Sequence, residues 1–215
     1  MKTGAGIFAR RSSTRCGLVT VALAIAIATG GCSLTRPSPV KKTFLLDPPV
    51  TALAVKPQPV SIRMGQVTVA APYRDRAFVY RTADVRYESD FYHEFFVPPG
   101  AMVAQATGRA LAAANLFTRV VPPGTAQDDG RYVLEGFVSE LYADARAKPA
   151  AGVIGIEYYL MGNGGANPVV WSGRYRERVE LAEATPESLA TAWNEALGRV
   201  LSALLRDLAA TPLAP

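Results

Sequence analysis

Apolar and polar positions along the chain change period at a few clear points. Thr43-Phe44-Leu45-Leu46 is a short apolar run inside a stretch that holds Pro37, Pro39, Pro48, Pro49, Pro57 and Pro59. Proline at that density disfavours helix, so the run predicts a first strand in an otherwise extended segment. From Val60 the apolar residues occupy one parity (Val60, Ile62, Met64) and then the other (Val67, Val69), with Gly65 at the change of phase. A strand carrying a bulge at Gly65 accounts for that, because one extra residue moves the side chains to the opposite face. Ala77–Tyr80 and Val85–Tyr87 predict a hairpin around Thr82 and Ala83, although no Asn-Gly or Asp-Gly pair marks its turn. Pro98-Pro99 opens a helix that runs to Ala114, with Val103, Ala106, Ala110, Leu111 and Ala114 on one small face and Asn115 as its carboxyl-terminal cap.

The second half is more strongly patterned. Leu116–Val121 predicts a short strand and residues 122–130 a loop. Tyr132–Leu141 has apolar residues of both parities, the mark of a central strand covered on both faces. Ile154, Ile156, Tyr158 and Leu160 then alternate, with Glu157 directed the other way, and Val169, Trp171, Tyr175 and Val179 alternate against Ser172, Arg174, Arg176 and Arg178. The two runs predict a hairpin across Gly162-Asn163-Gly164-Gly165. A last helix begins at Thr185 as amino-terminal cap, with Pro186 first and Glu187 at the positive dipole end. Leu189, Trp193, Ala196, Leu197, Val200, Leu201, Leu204 and Leu208 form a stripe suited to lie on a sheet. The expected fold is α/β, a single domain in which a mixed β-sheet is packed by two amphipathic helices.

The first forty residues follow a different logic. Lys2, Arg10, Arg11 and Arg15 precede an uncharged run from Leu18 to Ala28, the layout of an export signal. That run is short of the ~20 residues a helix needs to cross a bilayer. Thr29, Gly30 and Gly31 lead to Cys32, an order that resembles the lipobox, in which the cysteine receives diacylglycerol before cleavage in front of it. Cleavage nearby with Cys32 left as a free thiol, a retained anchor, and twin-arginine export through Arg10-Arg11 are the other readings of these residues. Residues 1–31 are thus the expected signal peptide, 32–42 the lipidated cysteine and tether, and 43–212 the domain. By the sorting rule of enteric bacteria, Ser33 in place of aspartate favours the outer membrane, with the domain on its periplasmic face.

Removing the signal changes the charge picture. The sequence has 23 Lys and Arg against 18 Asp and Glu, and four of the basic residues precede Cys32 while no acidic one does. The remainder is 19 against 18, a net charge of +1, which gives no footprint for nucleic acid. Cys16 leaves with the signal, so no disulfide can form within the mature domain.

Catalytic parts are scarce. His93 is the only histidine and Cys32 is committed to lipid, so neither a Cys/His nucleophile nor a Cys/His zinc cluster can be assembled. There is no Gly-x-Ser-x-Gly elbow and no phosphate-binding loop. Asp128-Asp129, Asp90 and Glu94 read as solvated carboxylates. No catalytic residue, metal or cofactor is expected. Two features suit binding. Arg174, Arg176 and Arg178 share a strand face that can meet anionic groups, unless Glu157 and Glu180 balance it. Tyr87 to Val97, with Phe91, Tyr92, Phe95 and Phe96, can line an interface or fill a core around a bend.

The mature chain resembles the ABC-type transport auxiliary lipoproteins, the PqiC-like family. The resemblance lies in Phe44-Leu45-Leu46-Asp47-Pro48 soon after the cysteine, Val67–Pro72 leading through Tyr73-Arg74-Asp75-Arg76 to Phe78-Val79-Tyr80-Arg81, and Tyr87–Phe96 before the first helix. Leu116-Phe117 and the closing strands and helix continue it, while Phe95 and Phe96 stand where many relatives have tryptophan. The resemblance implies a non-enzymatic accessory of an ABC transporter whose partner is an MCE-domain protein and which moves lipids between the two membranes. It also allows a homo-oligomeric ring. Besides Cys32, the implied contact surface comprises Tyr73, Phe78, Tyr80, Phe91, Tyr92 and Phe95, with Arg174, Arg176 and Arg178 added from the strand pattern. The second expectation is a lipoprotein that activates or scaffolds cell-wall synthesis; the third, a periplasmic enzyme, needs a carboxylate pair in a pocket.

Overall fold

The computed structural model describes residues 40–49, 56–121, 130–146, 148–162 and 168–214. Cys32 and the signal, most of the tether, Asp128-Asp129 and Asn163-Gly164-Gly165 lie outside them. The elements are β1 (Lys42–Phe44), β2 (Gln58–Val69), a 3-10 turn (Ala71–Tyr73), β3 (Ala77–Arg81), β4 (Tyr87–Phe95), α1 (Pro99–Ala114), β5 (Phe117–Val121), β6 (Tyr132–Asp144), β7 (Ala151–Gly162), β8 (Val169–Glu180) and α2 (Pro186–Ala210). The fold is α/β: one mixed eight-stranded sheet and two helices in a single domain.

β6 organises the sheet. On one edge it pairs antiparallel with β7, and β7 pairs antiparallel with β8. On its other edge it pairs parallel with β2 over Ile62–Val69 and, farther along, with β3 at Tyr80 and Arg81. β2 and β3 therefore run end to end along one neighbour, broken by the 3-10 turn that Pro72 permits. β5 flanks β2 in parallel, β4 flanks β3 antiparallel, and β1 lies outside β4 in parallel.

The predicted phase change in β2 is present: from Met64 to Val67 the strand takes three steps while β6 takes two, from Leu134 to Gly136. Both halves of β2 thereby keep their apolar side chains on the core side. The first hairpin differs from expectation. Val85 stands in the turn, 93% exposed, and the return strand begins at Tyr87 and continues through the aromatic run to Phe95.

Both helices pack on one face of the sheet. Thr185 caps α2 by accepting the Ser188 N–H at 3.2 Å, and the whole predicted stripe from Leu189 to Leu208 is buried. Asn115 closes α1 in the left-handed conformation (φ 51°). Tyr158 of β7 reaches α1 across β6, its hydroxyl 2.8 Å from that of Thr107. It can do so because it stands opposite Gly136, where a Cβ would meet the ring at 3.3 Å. Burial pushes the Tyr158 phenol well above its ordinary range, so it stays neutral.

The segment after β1 is fastened to both helices. Leu46 enters the core, the Asp47 N–H donates to Asn194 Oδ1 at 2.5 Å, and Asn194 Nδ2 donates to the Leu45 carbonyl at 2.9 Å. Arg109 of α1 pairs with the Asp47 carboxylate. Phe44-Leu45-Leu46-Asp47-Pro48 thus acts as a strap, fixing the point at which the chain enters the domain.

Candidate interaction surfaces

The face of the sheet away from the helices carries the three arginines. Alternation on β8 sends Arg174, Arg176 and Arg178 to the same side, and each meets a carboxylate: Glu157 at 3.0 Å, Glu140 at 2.6 Å and Glu180 at 3.1 Å. Glu157 is held below the ordinary carboxylate range by the Tyr159 hydroxyl and then by Arg174, both of which hydrogen-bond its charged form. The face is a ladder of paired charges, not a free cationic cradle. Exposed pairs of this kind contribute about 0–1 kcal/mol each, so the ladder shapes the surface more than it stabilises the fold.

Beside that ladder three tyrosines gather. The Tyr73 ring stacks on Tyr142 at 5.9 Å, Tyr87 meets Tyr142 edge-on at 5.7 Å, and the Arg81 guanidinium lies 5.5 Å from the Tyr87 ring centre. Tyr73 is buried in this cluster, so it supports the surface from beneath.

Arg146 ties the end of β6 to the turn after β3. Its Nε and Nη2 donate to the two Asp144 oxygens at 2.9 Å each, and Nη1 reaches Asp84 at 2.9 Å. The Arg146 guanidinium holds the Asp144 carboxyl well below its usual range, at about 2. The folded value lies beneath the unfolded one of about 3.9, so the stabilisation is complete above pH 4 and is lost as pH falls toward 2. After discounting for the partly exposed guanidinium, it is worth about 1–2 kcal/mol. Asp144→Asn is expected to lower stability by that amount at pH 7 and to flatten stability against pH between 4 and 2, read by urea unfolding at each pH. An unchanged pH profile would contradict this role.

The aromatic residues divide between core and surface. Phe78 and Phe95 are core residues, 0% and 2% exposed, with ring centres 4.8 and 5.3 Å from that of Trp193. They leave the predicted contact surface, because the strand positions they occupy point under the helices. Tyr80 is half-buried, and burial raises its phenol, helped by the adjacent Asp90 carboxylate. Phe91 and Tyr92 are exposed, their rings 5.1 Å apart, and Phe96 is exposed as well.

A bulge explains the division. Ala77 pairs with Glu94 and Val79 with Ser89, so two steps on β3 match five on β4. The surplus residues are held by Asp90, whose Oδ1 accepts the N–H groups of Tyr92 (2.7 Å) and His93 (3.0 Å) and whose Oδ2 lies 2.9 Å from His93 Nδ1. Burial works against the Asp90 charge, yet these donors hold its carboxyl below the ordinary value. The one histidine thus braces a bulge.

Another surface lay outside the sequence reading. Ala101, Ala104, Gly108 and Ala112 of α1, with Val120 and Val121 of β5, line an open apolar groove of about 500 Å³. A period-3.6 pattern of alanines does not distinguish this outer side of α1 from its inner one. Among the described residues no three His, Cys, Asp or Glu side chains converge to hold a metal, and no helix is long and apolar enough to cross a membrane.

These features define a class: an α/β domain whose two helices cover one sheet face and whose other face carries charge pairs and aromatics. No protein-family model matches the sequence, and no curated protein matches it. Solved structures do share its fold. It is similar to a Xanthomonas campestris protein of family DUF330, with a TM-score of 0.71 at 17% identity, over 79% of this chain and 95% of that one. It is also similar to an uncharacterized protein, with a TM-score of 0.60 at 12% identity, over 79% of this chain and 99% of that one. A lipoprotein of Neisseria meningitidis aligns over 71% of this chain and 99% of its own at 14% identity, but a TM-score of 0.39 is too low to argue from.

Proposed function

We propose that this chain is a lipid-anchored accessory of an ABC transporter with an MCE-domain partner, held through Cys32 at the periplasmic face of the outer membrane and serving lipid transport between the membranes. The observation that carries the reading is that the residues resembling the PqiC-like family fall on a fold shared with a DUF330 protein across 95% of that protein's length. Phe44 to Pro48 is the strap, Tyr73 to Arg81 the link into β3, and Tyr87 to Phe96 the bulged strand.

The strap supports close tethering. Regular pairing begins at Lys42, ten residues after Cys32, so the anchor lies within about 35 Å of β1 at about 3.5 Å per residue. A domain so placed works by contact at the membrane, and docking is its role in place of turnover. The alternative, activation of cell-wall synthesis, calls for a longer reach.

Affinity purification of the full lipidated chain from detergent-solubilised membranes tests the reading. Co-purification of an MCE-domain protein, with its permease and ATPase, is the expected result. Recovery of cell-wall synthases without any MCE protein would overturn it.

A further inference from the structure

The β1–β4 edge presents a row of exposed apolar side chains on the outermost strand pair. Phe91 is 70% exposed and Phe96 59%, and Val40, Leu45 and Tyr92 are also open to solvent. They line the same edge, since β1 runs parallel to β4: Lys42 pairs with His93, and the Phe96 N–H donates to the Phe44 carbonyl at 2.8 Å. The Asp90 brace holds Phe91 and Tyr92 outward in advance, so little ordering cost remains when they bury.

We propose that this edge rests on the headgroup region of the phospholipid bilayer that holds the anchor, with Phe91, Tyr92 and Phe96 seated at the interface. The proposal rests on lipidation of Cys32 and goes beyond the transporter reading, which assigns the domain no lipid contact. Two observations choose a lipid surface.

The first is where the chain enters. Val40 stands at the end of this row, eight residues after Cys32, so it lies within about 28 Å of the acylated cysteine. A short leash keeps the row at high effective concentration over the bilayer, where weak contact is enough.

The second is chemistry. The charges beside the row are largely paired: Lys41 and Arg76 both meet Glu94, the first at 3.5 Å, and Lys42 meets Glu187 at 3.0 Å, so three cations share two carboxylates. An edge with aromatics and one surplus cation suits a phospholipid headgroup layer that mixes zwitterionic and anionic lipid, where Phe and Tyr seat shallowly. The Lys41 amine lies 5.0 Å from the Phe91 ring centre, so it can extend to a phosphate as the ring inserts.

Single tryptophans added to the full lipidated chain test this. Phe91→Trp and Phe96→Trp report the edge, and Val170→Trp reports exposed β8 at the opposite side of the sheet. Each variant is reconstituted in phosphatidylethanolamine and phosphatidylglycerol vesicles with and without bromine-labelled acyl chains. At positions 91 and 96 the added emission is expected to fall at least twofold with brominated lipid, and at position 170 to stay unchanged. Flotation with the vesicles reads the anchor separately. Protein that floats without selective quenching at 91 and 96 overturns this proposal and leaves the transporter reading intact. Protein that does not float overturns the anchor and this proposal with it. Shielding that grows with protein density and not with brominated lipid identifies a second copy as the occupant, which also overturns it.

Discussion

Trp193→Ala is expected to cost about 4 kcal/mol, which lowers the melting temperature of a domain this size by about 12 °C. The indole is fully buried in α2 and joins every layer of the core. Its ring packs edge-on against Phe78 of β3 and at 5.3 Å from Phe95 of β4. Its Nε1–H points to the carbonyls of Tyr142 at 3.3 Å and Val153 at 3.2 Å, on β6 and β7. Gly152 leaves it room, since a Cβ there would come within 3.1 Å of the indole. Alanine removes the packing, opens a cavity under the sheet and leaves those carbonyls without their donor. Trp193→Phe keeps most of the ring contact and loses the hydrogen bond, so its cost is about 1–2 kcal/mol. Urea unfolding by circular dichroism separates the two; a loss under 1 kcal/mol for alanine would mean that α2 does not hold the sheet as described.

Cys32→Ala, placed behind a non-lipoprotein export signal so that cleavage no longer depends on the acylated cysteine, is expected to move the protein from the membrane fraction to the soluble periplasmic fraction almost completely. One acyl chain gives only reversible binding, of about 10⁴ M⁻¹, whereas two chains on one cysteine hold durably, each buried CH₂ adding about 0.8 kcal/mol. The largely paired charges and small apolar row of the β1–β4 edge cannot replace that attachment. Fractionation together with mass spectrometry of the amino-terminal peptide checks this. A variant that stays with the membrane would show that something other than acylation holds it.

Long, strongly periodic elements were legible in the sequence. The α2 stripe, its Thr185 cap, the β7–β8 alternation and the Gly65 bulge all follow from spacing that a single face enforces. The strand through Tyr87–Phe95 was not, because three surplus residues erase its alternation. That same bulge hides that Phe95 turns inward while Phe91 and Tyr92 stay out; Phe78, on the neighbouring strand β3, is core as well. Proximity in sequence says nothing of side when the phase slips. Parallel pairing of β6 with both β2 and β3 depends on long-range register and leaves no local signal. The arginine partners were partly readable: Glu157 and Glu180 from strand pattern, Glu140 only once β6 was placed nearby. The strap through Asp47, Asn194 and Arg109 joins residues up to 147 positions apart, and no spacing rule reaches that far.

The proposed role turns on the identity of the partner at the membrane. A photoreactive amino acid placed at Arg174, on the ladder face, and at Val85, on the exposed turn, in the full lipidated chain in living cells reads it directly. Crosslinks to an MCE-domain protein, lost when the Cys32→Ala chain is exported behind the non-lipoprotein signal, are the predicted result. Crosslinks to cell-wall synthases alone, or MCE crosslinks that persist undiminished without the anchor, would contradict it.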